Sequence, residues 1–299
     1  MARLPVTGAF RTPEERFEAL PDFDFEPSYR TVADLRVAHL DVGEGPPVVM
    51  LHGEPTWSFV WRKVIPPVRD AGYRCVVPDH TGFGRSDKPI DPAWHSLEQH
   101  VEVTASLLDE LDLRDVTLVL HDWGGPIGLT LALAHPDRVA RMVVLDTAID
   151  FREAWMSEVW VRFRDFVERT EDLPVAELMR GTCFHDPGAE VLRAYEAPFP
   201  VPESKAAMKG LPMSVPPPDD ANAVTASEGF CDALRRDPRP MLVLWGEADL
   251  IFTLASAQRD ASRIGRHVDH FIPRAGHALP EDQGPLLGQL IVEWLLSGD

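Results

Sequence analysis

The sequence predicts an α/β protein, in which a mostly parallel central sheet is flanked by helices and carries an inserted helical cap. Short β-branched apolar runs alternate with helical patterns along most of the chain, which is typical of parallel strands joined by helices. The alternation stops between about residues 148 and 226. With 44% apolar residues among 299, the chain can bury a large core.

Seven apolar runs have the character of strands. The later runs are apolar on both faces, which favours central strands of a covered sheet. The first two runs are joined by "VGEGPP" and predict an antiparallel hairpin added to that sheet. In chain order the runs read "LRVAHLDVG", "PPVVMLHG", "YRCVVPDH", "VTLVLHD", "RMVVLDT", "PMLVLWGE" and "DHFIPRAG".

The break in the alternation predicts a second domain. Helix-like stretches such as "AELMRGTC" and "AEVLRAYEA" lead into a proline-rich zone at 198–218. We therefore expect a core domain made of 1–147 and 227–299, and a helical cap made of 148–226. A lid over the strand ends would create a dry pocket there.

Composition excludes several classes of partner. The net charge is −19 and no cluster of Lys and Arg occurs, so nucleic acid and anionic membranes are poor partners. No apolar stretch approaches the roughly 20 residues of a membrane helix, and the first residues lack the apolar core of a signal peptide. Three widely spaced cysteines indicate reduced thiols and a cytoplasmic protein; they are Cys75, Cys183 and Cys231.

The sequence gives no pattern for a metal or another cofactor. The histidines that lie outside the motifs below have no spacing typical of metal ligands; they include His95, His100, His267 and His270. The segment "GFGRSD" lacks the third glycine of a dinucleotide fingerprint and is better interpreted as a turn. We expect no cofactor.

A sharp turn is predicted at "LVLHDWGG", residues 118–125, where a strand ends and a helix begins. A nucleophile on such a turn projects above the sheet, and small residues must follow it so that the backbone can fold back. Gly124 and Gly125 meet this need, and Pro126 suits the first helical turn. The residue at the point of the turn is Asp122, which either acts as a nucleophile or caps the helix.

Two later loops carry the partners that such a nucleophile needs. The usual chain order is nucleophile, acid, histidine. Asp249 follows the run "PMLVLWG", and His277 follows the run "DHFIP". Loops at one sheet edge can bring these residues together. Asp146, which ends "VVLD", is a second candidate for the acid. Alternatively, Asp249 is an ordinary turn residue and His277 is a solvated loop residue.

These motifs resemble the haloalkane dehalogenases of the α/β-hydrolase superfamily. The resemblance covers nearly the whole chain. "HGxP" and "HDWGG" are shared with epoxide hydrolases, whereas "HGEPTW" and "AYEAPFP" are more specific to dehalogenases. The motifs in family order are "RTPEERF", "HGEPTWSFVWRKVIP", "GFGRSDKP", "HDWGG", "AYEAPFP" and "AGHALPE".

The resemblance implies a role for each matching residue. Asp122 would be the nucleophile, His277 the base and Asp249 the acid that orients the base. Backbone N–H groups of Glu54 and Trp123 would form the oxyanion hole, and the Trp123 indole would hold the leaving halide. The implied substrates are a small halogenated alkane and water, and we expect a monomer.

Glu54 after "HG" and an acid after the later strand resemble the subfamily that uses two tryptophans to bind halide. The cap departs from the pattern of that subfamily. There the second tryptophan precedes an Arg-x-Phe, and in this chain "FRDF" puts Phe163 at that position. Trp160 lies one turn earlier on the same helical face. Either Trp160 reaches the halide from a shifted position, or the site has one indole donor. Alternatively, the region is only the buried stripe of a cap helix, made of Trp155, Val159, Trp160, Phe163 and Phe166.

Two other functions compete with dehalogenation. An epoxide hydrolase would use the same acid, base and nucleophile, but it needs cap tyrosines to protonate the leaving alkoxide. The predicted cap contains one tyrosine, Tyr195. The other alternative is a ligand-binding relative that has lost turnover.

Overall fold

A computed structural model describes residues 6–149, 156–217 and 220–298. The eight strands of its main sheet are β2 Pro27–Val32, β3 Leu35–Val42, β4 Pro47–Leu51, β5 Arg74–Pro78, β7 Val116–His121, β8 Val139–Leu145, β9 Met241–Gly246 and β10 His270–Ile272. Their order in the sheet is β10-β9-β8-β7-β4-β5-β3-β2. The six strands from β10 to β5 are parallel, whereas β3 is antiparallel to β5 and to β2. The short strands β1 Ala9–Phe10 and β6 Lys88–Pro89 form a separate antiparallel pair.

All seven predicted strands occur, but the predicted hairpin is wrong. β3 and β4 are consecutive in the chain, yet β5 lies between them in the sheet. The hairpin partner of β3 is β2, which the sequence analysis missed. Four residues separate β3 from β4, so the connection steps across one strand position instead of turning back beside β3.

Helices cover both faces of the sheet. Along β4, the side chains of Val48 and Met50 join one apolar cluster, while Val49 and Leu51 join another. This alternation is the period-two pattern of a strand that is covered on both sides. The helices are α1 Ile65–Asp70, α2 Leu97–Glu110, α3 Gly124–Ala134, α4 Glu158–Arg169, α5 Val175–Thr182, α6 Ala189–Glu196, α7 Ala206–Met213, α8 Ala221–Arg236, α9 Leu254–Arg263 and α10 Leu279–Ser297.

Between β8 and β9 the described residues form the helices α4 to α8, a short 3-10 helix and their connecting loops, and no strand. The predicted end of the cap at residue 226 falls inside α8. The domain boundaries stay a prediction.

Candidate active site

The turn at Asp122 joins the fully buried strand β7 to helix α3. Asp122 has a φ of 50°, in the left-handed region that non-glycine residues rarely adopt. A Cβ on Gly124 would lie 2.2 Å from the Leu51 carbonyl oxygen, and one on Gly125 would lie 1.9 Å from Thr147 Oγ1. Side chains are therefore excluded at both positions, which explains the two glycines after the aspartate.

Hydrogen bonds hold the Asp122 peptide in this conformation. Its carbonyl accepts from the Gly125 N–H at 2.8 Å and from the Thr147 hydroxyl at 2.6 Å. Its N–H donates to the Asp146 carbonyl at 3.3 Å. Since the backbone is fixed on both sides, the direction of the carboxylate is set by the turn.

The Asp122 carboxylate is buried and has a different partner on each oxygen. Oδ1 accepts a hydrogen bond from the Glu54 N–H at 2.7 Å, and Oδ2 lies 3.3 Å from His277 Nε2. A Cβ on Gly53 would lie 2.1 Å from Oδ1, so this approach requires glycine at residue 53. Burial opposes ionisation of Asp122, but the hydrogen bond and charge of His277 keep its pKa below the ordinary value.

The His277 imidazole bridges two carboxylates. Its Nδ1 lies 3.0 Å from Asp249 Oδ2, and Asp249 Oδ1 accepts from the N–H groups of Ile251 and Phe252 at 2.7 and 3.0 Å. Burial by itself would lower the pKa of His277, but the charges of Asp249 and Asp122 raise it well above the ordinary value. The structure thus brings together Asp122, Asp249 and His277, three residues that are far apart in the chain.

Asp146 is buried beside this group but does not hydrogen-bond to the imidazole. Its Oδ1 accepts from the Gly246 N–H at 2.9 Å. Burial and the charge of Asp249 raise the pKa of Asp146 well above its ordinary value. Of the two candidate acids, Asp249 is the one that contacts His277.

A cavity of about 490 Å³ opens above the carboxylate. It lies under the cap helices α4 and α5, and its walls include Glu54, Asp122, Trp123, Trp160, Phe163 and His277. A smaller recess of about 20 Å³ adjoins it and is bordered by Asp122, Trp123, Trp160 and Phe252. The two candidate acids, Asp249 and Asp146, are not part of the cavity wall, and Asp249 contacts the Nδ1 side of His277. The other site residues named from the sequence line the cavity, namely Glu54, Asp122, Trp123, Phe163 and His277.

The structure distinguishes the two aromatic residues of α4. Trp160, at 6% exposure, borders both the cavity and the recess, whereas Phe163 borders the cavity alone. Within the described residues, no protein group accepts a hydrogen bond from the indole N–H of Trp123 or Trp160. Val159 and Phe166 are 38% and 41% exposed, so the predicted buried stripe is wrong for these two residues. Trp155 lies outside the described residues.

The side chain of Glu54 is a feature that sequence reasoning missed. It is buried in the cavity wall, and neither carboxyl oxygen has a hydrogen-bond partner in the described part of the chain. Burial, with a smaller contribution from the Asp122 charge, raises its pKa well above the ordinary value. The only sequence signal was the presence of a carboxylate inside the motif "HGEPTW".

The tyrosines lie away from the cavity. The Tyr195 hydroxyl is buried and donates to Glu281 at 2.6 Å. Tyr29 donates to Glu14 near the surface, and Tyr73 packs against the core. All three tyrosines of the chain are described, and none lines the cavity.

Within the described ranges there is neither a metal-binding cluster of three or more His, Cys, Asp or Glu residues nor a helix long and apolar enough to cross a membrane.

A family model and the relatives of this chain indicate the same protein family. Residues 46–283 match the family model described as the alpha/beta hydrolase fold. A haloalkane dehalogenase of Mycolicibacterium paratuberculosis is 36% identical over 95% of this chain and 97% of its own length. One from Psychrobacter cryohalolentis is 34% identical over 95% of this chain and 97% of its own. The chain belongs to the haloalkane dehalogenase family.

A solved structure of this family has the same architecture. The tetrameric haloalkane dehalogenase DpaA from Paraglaciecola agarilytica has a TM-score of 0.86 at 33% identity, and the match covers 95% of this chain and 97% of that one. The predicted α/β-hydrolase fold and the predicted family are both confirmed.

Proposed function

We propose that the protein hydrolyses haloalkanes to an alcohol, a halide ion and a proton. The observation that carries this proposal is the ionised Asp122 carboxylate in a mostly apolar cavity, 3.3 Å from His277 and beside the indoles of Trp123 and Trp160. The relatives named haloalkane dehalogenase support the same reaction class.

In the first step an Asp122 oxygen attacks the carbon that bears the halogen. A C–O bond forms, the carbon–halogen bond breaks, and the halide leaves with the bonding electron pair. The carboxylate suits this step because the product is an ester, which water can cleave. A hydroxyl nucleophile would leave an ether.

In the second step His277 removes a proton from water, and the resulting hydroxide attacks the ester carbonyl of Asp122. The N–H groups of Glu54 and Trp123 stabilise the tetrahedral intermediate. Its collapse releases the alcohol and restores the carboxylate. Asp249 holds the imidazole in the orientation that leaves Nε2 free to act as base.

We propose that the recess bordered by Trp123 and Trp160 receives the halide. An indole offers an N–H donor and no acceptor, which suits an anion in an apolar environment. Trp160 therefore supplies the second donor from a position one turn before Phe163, and Phe163 contacts the alkyl chain.

The cavity also bears on substrate size. A volume of about 490 Å³ lies within the range of roughly 300–1,000 Å³ that is typical of small-molecule sites. We propose that haloalkanes with chains longer than two carbons are good substrates, since each buried methylene contributes about 0.8 kcal/mol to binding.

We also propose that the core domain comprises 1–147 and 227–299 and the cap 148–226, and that the protein is monomeric and cytoplasmic.

Epoxide hydrolysis is disfavoured because the cavity wall offers no tyrosine hydroxyl to protonate an alkoxide. Side-by-side assays of styrene oxide and 1,2-dibromoethane discriminate the two activities. A ligand-binding relative without turnover would release no halide from any bromoalkane.

A covalent trap tests the mechanism. His277→Phe removes the base but leaves the nucleophile, so incubation with 1-bromohexane is expected to add one hexyl group to Asp122, visible as a mass increase and in the peptide that contains it. Asp122→Ala is the matched control and should stay unmodified. Unmodified His277→Phe protein after long incubation, with no halide release by the wild type, would overturn the proposal.

A further inference from the structure

One carboxylate, that of Asp282, forms hydrogen bonds both to the loop that carries His277 and to the cap. Asp282, in the first turn of α10, accepts hydrogen bonds from three backbone N–H groups. Its Oδ2 accepts from Gly276 at 2.9 Å and from Phe184 at 2.8 Å, and its Oδ1 accepts from His185 at 3.2 Å. Gly276 directly precedes the base, whereas Phe184 and His185 follow α5.

Backbone contacts also join the loop that carries His277 to the end of α5. The N–H of Ala278, the residue after the base, donates to the Thr182 carbonyl at 3.0 Å. A Cβ on Gly276 would lie 2.5 Å from that carbonyl oxygen, so the two segments meet without room for a side chain. The loop that carries the base and the segment 182–185 are thus joined on both sides of His277.

The segment 182–185 is also a wall of the reaction cavity. Thr182, Cys183 and Phe184 line the cavity together with His277. A displacement of this wall would therefore be transmitted to the imidazole. Since a general base must lie within hydrogen-bond reach of the proton it removes, such a displacement would impair proton transfer from water.

We propose that Asp282 is a positioning residue. It fixes the position of the His277 imidazole relative to the segment 182–185, as hydrolysis of the alkyl-enzyme ester requires. This inference rests on the proposed function. The attack by Asp122 does not use His277 as a base, so the first chemical step does not depend on this junction. The second step does, because water must lie between the imidazole and the ester.

The two steps can be separated by rapid mixing with 1-bromohexane. In Asp282→Ala we expect halide to appear within about twofold of the wild-type rate in a single turnover. Alcohol formation should slow tenfold or more, so that the alkyl-enzyme accumulates. Asp282→Asn keeps one acceptor oxygen but places an NH₂ group against N–H donors, and it should show a smaller loss of the same kind.

Gln283→Ala is the matched control. The Gln283 side-chain amide donates to the Arg274 carbonyl at 3.2 Å, so its removal disturbs the same loop without touching Gly276 or the cap. We expect both steps to keep their wild-type rates in this variant. Equal slowing of halide and alcohol release in both Asp282 variants, or no slowing in either, would overturn the assignment. Failure of the proposed function itself would appear in the wild type, which would then release no halide.

Discussion

The half of the site built on the sheet and the half built on the cap are constructed differently. On the sheet side, Asp122, His277 and Asp249 are each held by hydrogen bonds to neighbouring backbone or to one another. On the cap side, Trp160 and Phe163 lie on one helix, α4, where Trp160 is buried and Phe163 packs against the apolar core. The residues that carry charge in the reaction are therefore fixed by directional hydrogen bonds, whereas the aromatic residues of α4 are held by apolar packing.

Electrostatics follows the same division. The groups with strongly raised pKa values around the nucleophile, namely Asp146, His277 and Glu54, all belong to the sheet side. The cap side contributes mostly apolar side chains, with Thr182, Cys183 and Glu177 as its polar residues. The exposed Glu177 carboxylate pairs with Arg180. We expect substitutions on the sheet side to affect chemistry and those on α4 to affect binding.

The largest effect on turnover is expected from a comparison of substitutions at two buried aspartates of the sheet side. Asp249→Asn replaces the partner of His277 Nδ1, so alcohol formation should fall about 10³–10⁴-fold, as when a triad acid becomes an amide. Asp146→Asn replaces a carboxyl group that does not contact His277 with an amide of nearly the same shape, and turnover should stay within about threefold. Steady-state assays check both, and the opposite ranking would show that Asp146 is the acid.

The next effect concerns pH. Forming the ester removes the Asp122 charge, one of the causes that raise the His277 pKa, so the imidazole should release about one proton per halide before alcohol appears. Hydrolysis needs the neutral imidazole and should be lost as pH falls through the pKa of His277 in the ester. Attack by Asp122 should persist at acidic pH, because the pKa of Asp122 is lowered.

Stopped-flow mixing with a pH-indicator dye checks this order of events. In His277→Phe, halide should appear without a proton, since no imidazole is present to release one. Proton release that follows alcohol formation alone in the wild type would contradict the predicted drop in the His277 pKa.

On the cap side, the two aromatic residues of α4 should differ. Trp160→Phe removes an indole donor from the recess, so KM for bromoalkanes and Kd for bromide should rise about tenfold or more; loss of a donor to a developing anion costs up to about 2.7–4 kcal/mol. Phe163→Leu should alter the preference among alkyl chains and leave bromide binding unchanged. Bromide titration of Trp fluorescence measures the difference, and equal effects would mean that Trp160 serves for packing alone.

The smallest expected effect lies at the contact between the two halves. Tyr195→Phe removes the buried hydrogen bond from α6 to Glu281, which also pairs with Arg62 at 2.6 Å. A hydrogen bond to a charged group contributes about 1.5–3 kcal/mol, so urea unfolding should show a loss of that size with little change in kcat.

Tyr29→Phe is the control for this change, because it removes a tyrosine–glutamate hydrogen bond at the surface. Its free energy of unfolding should change by less than about 0.5 kcal/mol. If the two variants lose the same stability, burial does not strengthen the contact between α6 and α10.

Much of the sheet side could be predicted from local sequence. The strand-to-helix turn at Asp122 was recognisable because two glycines must follow it, and the clashes at Gly124 and Gly125 give the physical reason. The order of β3, β5 and β4 was not recognisable, because strand pairing depends on contacts between segments that are distant in the chain. Hence the predicted hairpin was wrong although its strands were correct.

By itself the sequence determined the fold class, the family and the residues that could carry the chemistry, because turns, apolar periodicity and motifs are local properties of a chain. Only the tertiary structure decided that Asp249 rather than Asp146 contacts His277, that Trp160 rather than Phe163 borders the recess beside Asp122, and that Asp282 joins the loop of the base to the cap. Each of these depends on distances between segments that fold together from far apart, and such distances are set by packing.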